Sequence, residues 1–171
     1  KITVLEMAEH VGIRKFQNFM RQLNAMLEDD GILFLQIAGL RRNWTAEDFT
    51  WGLFMSKYVF PGADASMPLS FVCNNLERAG FEIHSVENIG IHYSLTIDRW
   101  YRNWLSNREK VVKGYGERWF RLWEIFLAWS VIIAERGGST AFQLVCNKNR
   151  SAFERKRWIG ERGRLVDITK S

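Results

Sequence analysis

An α/β fold is predicted by three features of the sequence. Residues 2–5 and 32–38 read as strands on either side of a helix-period segment, 13–28, with short connections, which is a βαβ unit. A second helix-then-strand pair follows at 68–79 and 81–89. A last strand, 140–147, comes after a two-helix excursion.

Each element has a local reason. Residues 2–5 are a short apolar run, read as a buried strand, and Gly12 separates it from the helix-period segment. Ile13, Phe16, Met20, Leu23 and Leu27 recur at helical spacing. Asp30-Gly31 is a turn signal. Residues 32–38 are apolar on both faces except at Gln36, which suits a central strand of a parallel sheet; the crossover into it is expected to be right-handed. Thr45 is placed to cap a helix running to about residue 57. The chain must then leave the helix, because Pro61 restricts the residue before it and Gly62 follows. The helix over 68–79 opens at Pro68 and stops at Gly80. Phe81, Ile83 and Val86 pattern a strand. Ser94 or Thr96 opens a helix to about 107, and 115–135 forms a long helix with Phe120, Trp123, Leu127, Val131 and Ala134 on one face. Gly137-Gly138 ends it.

Composition narrows the function classes. The 171 residues are 47% apolar, with eight Trp and twelve Phe, enough for a sizeable core and against disorder over most of the length. Cys73 and Cys146 do not make a disulfide framework, and no metal-ligand spacing joins them to His10, His84 or His92. The longest uncharged apolar run, 125–134, is half of the roughly 20 residues a membrane span requires. The net charge is +5, and the window 148–164, with seven basic and two acidic residues, carries all of it. The expected division is therefore a folded body, 1–147, and a basic tail, 148–171. A neutral body without a binding motif speaks against a nucleic-acid partner. Arg155-Lys156-Arg157 reads either as a contact for anionic lipid headgroups or as a solvated end. Lys1 leads straight into an apolar stretch, so the chain is expected to begin inside a domain.

Several stretches, in order, resemble the C-terminal half of the cyclopropane-fatty-acyl-phospholipid synthase family of S-adenosylmethionine-dependent methyltransferases. They are Glu6-Met7-Ala8-Glu9-His10-Val11-Gly12, Asp30-Gly31, Lys57-Tyr58-Val59-Phe60-Pro61-Gly62, Gly80-Phe81, His92-Tyr93-Ser94-Leu95-Thr96, Trp100, Arg121-Leu122-Trp123-Glu124 and Phe142-Gln143. Within the family, Trp51-Gly52-Leu53-Phe54-Met55, the segment 57–66 and the segment 99–107 look most like the fungal sphingolipid C9-methyltransferases. The resemblance implies the C-terminal half of a seven-stranded, Rossmann-like methyltransferase sheet with inserted helices, mapped onto its fourth to seventh strands. The Gly-rich donor loop of that fold has no counterpart in the chain. The fragment alone is expected to be inactive and to bind donor poorly.

The implied reaction is methyl transfer from S-adenosylmethionine to a double-bond carbon of the sphingoid base of a glucosylceramide-type sphingolipid. The alternative within the family is cyclopropane-type modification of an unsaturated lipid. The intact protein is then expected at the endoplasmic reticulum membrane surface, with its catalytic domain cytosolic. A competing reading from another class is a non-catalytic module that packs on a lipid surface or a partner. The methyl transfer leaves a carbocation, from which a base must remove a proton.

The resemblance assigns that base to a bound bicarbonate, held by Glu9, by Tyr93 and by two positions on the second strand, where this chain has Gln36 and the Ala38 amide. Gln36 can donate a hydrogen bond but cannot titrate. Glu6 and His10 fall at the edge of the donor site. Ala38, Gly39, Tyr58, Phe60 and His92 are the expected substrate- or anion-binding positions, and no metal is expected. From the residues alone, Glu9 reads as an acid favoured by the dipole of the following helix, and only the resemblance turns it to a functional role; Gln36 reads equally as a satisfied strand polar group, and Tyr93 can be a packed aromatic. His10 and His92 read as structural. Trp44, Trp51, Phe54, Tyr58, Phe60, Trp100 and Trp104 are either a lipid tunnel or plain core. Tyr58 and Phe60 are the best tunnel candidates, because they sit in an irregular segment.

Overall fold

The computed structural model describes residues 1–155 of the chain. Its elements run β1 (Ile2–Leu5), α1 (Ile13–Met26), β2 (Ile32–Leu40), α2 (Ala46–Phe54), α3 (Leu69–Arg78), β3 (Phe81–Asn88), α4 (Gly90–Ser106), α5 (Arg108–Tyr115), α6 (Glu117–Glu135) and β4 (Ser139–Lys148). A short 3-10 turn, Ala8–His10, follows β1, and a π-turn, Met55–Val59, follows α2.

The four strands form one sheet in the order β1-β2-β4-β3. β1 pairs parallel to β2, as the βαβ reading requires. β4 inserts antiparallel between β2 and β3. β2 is therefore central, as expected, but within a mixed sheet rather than a parallel one. An apolar run reports burial on two sides and carries no information about the direction of its neighbours.

One face of the sheet builds the core. Phe16, Met20, Leu23 and Leu27 on α1 and Val72 and Leu76 on α3 are buried together with Leu33, Leu35, Ile37, Leu144 and Cys146. Ile13, expected on that face, is 47% exposed. It opens the helix immediately after Gly12, before the stripe has turned onto the sheet. The opposite face of the sheet meets α4 and α6. There the Ser94 hydroxyl donates to the Val131 carbonyl (3.1 Å), and the Trp104 indole donates to the Phe120 carbonyl (3.1 Å).

β1 departs from its predicted burial. Only Val4 is buried, and Leu5 is 54% exposed. Among the described residues β1 is an edge strand with a partner on one side only, so its second edge and half of its side chains meet solvent.

Three helix boundaries also differ. α4 opens at Gly90, ahead of Ser94 and Thr96; the Ser94 side chain caps nothing and bonds α6 instead. α5 stands as a separate helix that the apolar pattern does not reveal, because it buries no residue and so has no stripe to read. The predicted helix to residue 57 ends at Phe54 and widens into the π-turn. At the chain's far end, Lys148 is the last residue of β4, buried and 3.2 Å from Asp29, and Arg155 pairs with Glu82 at 2.7 Å. The expected basic tail thus starts against the sheet. The rest of it, including Lys156 and Arg157, lies outside the described residues.

The Thr45 cap is present and is reciprocal. The Asp48 amide donates to the Thr45 hydroxyl oxygen, and the Asp48 carboxylate accepts from the Thr45 amide at 2.6 Å. Arg41 adds two bonds to the same carboxylate, at 2.8 and 3.0 Å. Burial favours neutral Asp48, but the Thr45 amide and Arg41 outweigh it and hold the carboxyl below its ordinary value of 3.8. A depressed folded-state value stabilises the fold above the ordinary value, and the contribution is lost as pH falls through the folded one. Asp48→Ala is expected to lower stability at neutral pH by about 1–2 kcal/mol. The deficit should vanish in acid, as read by urea unfolding at a series of pH values.

Candidate active site

The carboxyl ends of the parallel pair β1 and β2 are where ligands gather in open α/β sheets, and polar side chains from four segments meet there. Leu5 is paired with Gln36, and the Glu6 amide donates to the Gln36 carbonyl (3.1 Å). Glu6 then turns the chain with φ of 52°, in the left-handed region. That conformation costs a non-glycine residue on the order of 1–3 kcal/mol. The turn leads directly into Ala8–His10, which carries Glu9 inward; Glu9 is only 5% exposed.

Gln36 is the hub. Its carbonyl oxygen accepts from the Gln143 amide on β4 (2.8 Å), which fixes the orientation of the Gln36 amide. Its amide nitrogen then donates to Glu6 Oε1 and to the Tyr93 hydroxyl, both at 3.1 Å. Tyr93 lies in the first turn of α4, with its amide bonded to the Ile89 carbonyl. Burial first, then the hydrogen bond and charge of Glu6, push the Tyr93 hydroxyl well above its usual range. It stays protonated, with Glu6 beside it on the same Gln36 amide.

Glu9 forms the second part of the site. Its Oε1 accepts from the Ala38 amide at 2.6 Å. Its Oε2 is buried with no hydrogen-bond partner among the described residues. Burial raises the carboxyl above its ordinary value of 4.5, the Ala38 amide opposes the shift, and the nearby Glu6 charge adds to it. The Glu9 carbonyl accepts from the Asp64 amide (2.8 Å), which ties the irregular segment after the π-turn to the site. Gly39 lets that segment come close: a Cβ there would run into the Met67 carbonyl.

The structure therefore brings Glu6, Glu9, Gln36, Ala38 and Tyr93 together, with Gly39 beside them. His10 and His92 are exposed, and among the described residues neither bonds to this cluster. Tyr58 and Phe60 stand in an aromatic wall. Tyr58 lies 5.6 Å from Phe54, and Phe60 meets Trp123 and Phe126 edge-on at 6.1 and 5.5 Å. Trp51 stacks on Trp129 at 4.7 Å, and Trp104 on Phe120 at 5.7 Å. Trp44 and Trp100 are exposed. The sequence reading named Trp123 and Gln143 only as a helix-face residue and as part of a resembling stretch, not as site residues, and it missed Phe126 and Trp129. The i, i+3 spacing of Trp123, Phe126 and Trp129 is the signal that could have found them.

The groups expected to hold a bicarbonate contact one another within the chain: the Ala38 amide donates to Glu9, and the Gln36 amide donates to Tyr93. Glu6, which was not expected among them, takes the Gln36 amide as well, so its carboxylate stands where that amide would meet an anion. Among the described residues no cluster of ligating side chains could hold a metal ion.

The chain is similar to known proteins along most of its length. It is 58% identical over 159 residues to the sphingolipid C9-methyltransferase of Komagataella phaffii, covering 93% of this chain and 32% of that protein. It is 61% identical over 155 residues to sphingolipid C9-methyltransferase A of Emericella nidulans, covering 91% of this chain and 30% of that one. The chain thus spans about a third of the length of these curated relatives. Among solved structures it resembles the cyclopropane synthase MmaA2 of Mycobacterium tuberculosis, with a TM-score of 0.81 at 17% identity, over 85% of this chain and 54% of that one. That likeness shows the Rossmann-like methyltransferase fold. The model of the mycolic acid cyclopropane synthetase family matches residues 1–144, which hold the whole strand-end cluster and the aromatic wall; the chain belongs to this family.

Proposed function

We propose that the intact protein is an S-adenosylmethionine-dependent methyltransferase acting on a double-bond carbon of a sphingolipid's sphingoid base, at the C9 position. The observation that carries this is the identity to sphingolipid C9-methyltransferases over nine-tenths of the chain. The geometry agrees with it. Two carboxylates and a protonated tyrosine converge at the strand ends, and an aromatic wall is joined to them through Asp64.

In this reading the donor supplies an electrophilic methyl and binds largely on segments outside this chain. Tyr58, Phe60 and the α6 aromatics line the path of the lipid chain, and their π-faces temper the cation that forms. Glu9, Gln36 and Tyr93 shape the site around the reacting carbon. The chain's own carboxylates take the place of a bound bicarbonate.

The substrate lies in a membrane, so the intact protein works at a membrane surface, that of the endoplasmic reticulum, from the cytosolic side. No helix among the described residues is long and apolar enough to cross one. The exposed Trp44, Phe49 and Leu53, flanked by Arg42 and Lys57, suit contact with the interface. Cyclopropane-type lipid modification is the second reading, favoured only by the family model.

The test is to incubate the intact protein with S-adenosylmethionine and an unsaturated glucosylceramide, and to read the product by mass spectrometry. The expected product is heavier by one CH2, branched at C9, with its double bond retained. Tyr93→Phe should lower the rate at least about 100-fold. A cyclopropane ring in the product would select the second reading. No donor-dependent product at all would remove the enzyme reading.

A further inference from the structure

Glu6 combines three properties at one position. It holds a backbone conformation that suits glycine, with φ of 52°. Its carboxylate accepts from the Gln36 amide, which also donates to the Tyr93 hydroxyl beside it. It also sits at the carboxyl end of β1, facing the end of β2. A strained residue at a strand end persists where the surroundings fix it, and such positions gather at reacting sites. Gln36 cannot titrate, and Gln143 locks its amide with the donor side toward Glu6. Glu9 gives one oxygen to the Ala38 amide, and its other oxygen is buried. Of the groups in the cluster, Glu6 is the carboxylate held by side chains alone and half-open to the site.

We propose that Glu6 is the proton acceptor of the reaction, taking the proton from the carbon that has received the methyl. The inference rests on the methyl-transfer reading. The alkene π pair forms the new carbon–methyl bond, and the methyl–sulfur bond breaks with its pair on sulfur. The C–H bond on the methylated carbon then breaks, its pair restores the double bond, and the proton forms an O–H bond on Glu6. Tyr93 and Gln36 hold the carboxylate so that its remaining lone pairs face the substrate. Gln143 is a positioning residue that acts through Gln36. The double bond is restored, rather than a ring closed, because the base stands at the methylated carbon.

The test uses the intact protein in buffer freed of carbon dioxide. Wild type should methylate at the same rate with and without added bicarbonate. Glu6→Gln should lose at least about 100-fold in rate. Glu6→Gly suits the backbone and keeps the fold, as read by circular dichroism; it should be equally slow and recover much of its rate on addition of formate, which fits the vacated space. Recovery by a small carboxylate is a response that a merely structural residue does not give. Wild-type activity that collapses without bicarbonate and returns with it overturns the assignment. So does Glu6→Gln at full rate, or Glu6→Gly unmoved by formate. Wild type without donor-dependent product overturns the methyl-transfer reading and this assignment together, and is told apart by the wild-type control.

Discussion

Phe16→Ala is expected to destabilise the fold by about 3–5 kcal/mol, the loss typical of a large aromatic removed from a close-packed core. Phe16 is fully buried on the sheet-facing stripe of α1, and its ring lies 5.5 Å from Phe71, on α3. It therefore joins the two helices that cover the core face, and neither helix can settle into the space it leaves without giving up its register on β2. Domains have about 5–15 kcal/mol of stability in total, so the variant should be marginal at physiological temperature. The control is Ile13→Ala, one turn earlier and 47% exposed, where the change should be within about 0.5 kcal/mol. Urea unfolding of the two variants reads the difference. Equal effects would mean that the helix does not present the face described.

The second large effect concerns Glu9, and it has opposite signs for stability and for activity. Because burial raises its folded-state value above 4.5, the folded protein holds this proton more tightly than the unfolded chain does. The associated stability is present below 4.5 and is lost as pH rises through the folded value. At neutral pH an ionised Glu9, with Oε2 unpartnered, therefore works against folding. Glu9→Gln keeps an oxygen for the Ala38 amide and removes the charge. It should raise stability at pH 7 by on the order of 1 kcal/mol, with the gain shrinking as pH is lowered toward 4.5. In the intact protein the same change should lower methyl transfer at least about 100-fold. Thermal unfolding across pH, paired with product analysis, checks both halves. A variant no more stable than wild type and equally active would make Glu9 an ordinary buried acid.

Much of the fold is legible in the chain itself. Periodicity places the first βαβ unit because α1 and β2 carry apolar residues at helical and strand spacing, and the Thr45 and Pro68 starts and the Gly80 stop follow from backbone chemistry. Glu9, Gln36 and Tyr93 stand out through a resemblance carried by short stretches in order, which periodicity alone does not single out. α5 stays hidden because it has no buried stripe. The α4 start is misplaced because hydroxyl residues near a helix start serve tertiary contacts as readily as caps, as Ser94 does.

Near neighbours in the chain are enough for the α/β class and for the identity of the strands and helices that have a buried face. They are not enough to run β4 antiparallel between β2 and β3, which puts Gln143 beside Gln36 although 107 positions separate them. Packing of the whole chain was needed for that. The same packing brings Glu6 and Tyr93 onto one Gln36 amide, and brings Trp123, Phe126 and Trp129 of α6 into the aromatic wall. Such contacts depend on strand order and helix rotation. Both are set by how the entire chain shares out its apolar surface, and no local window of sequence contains them.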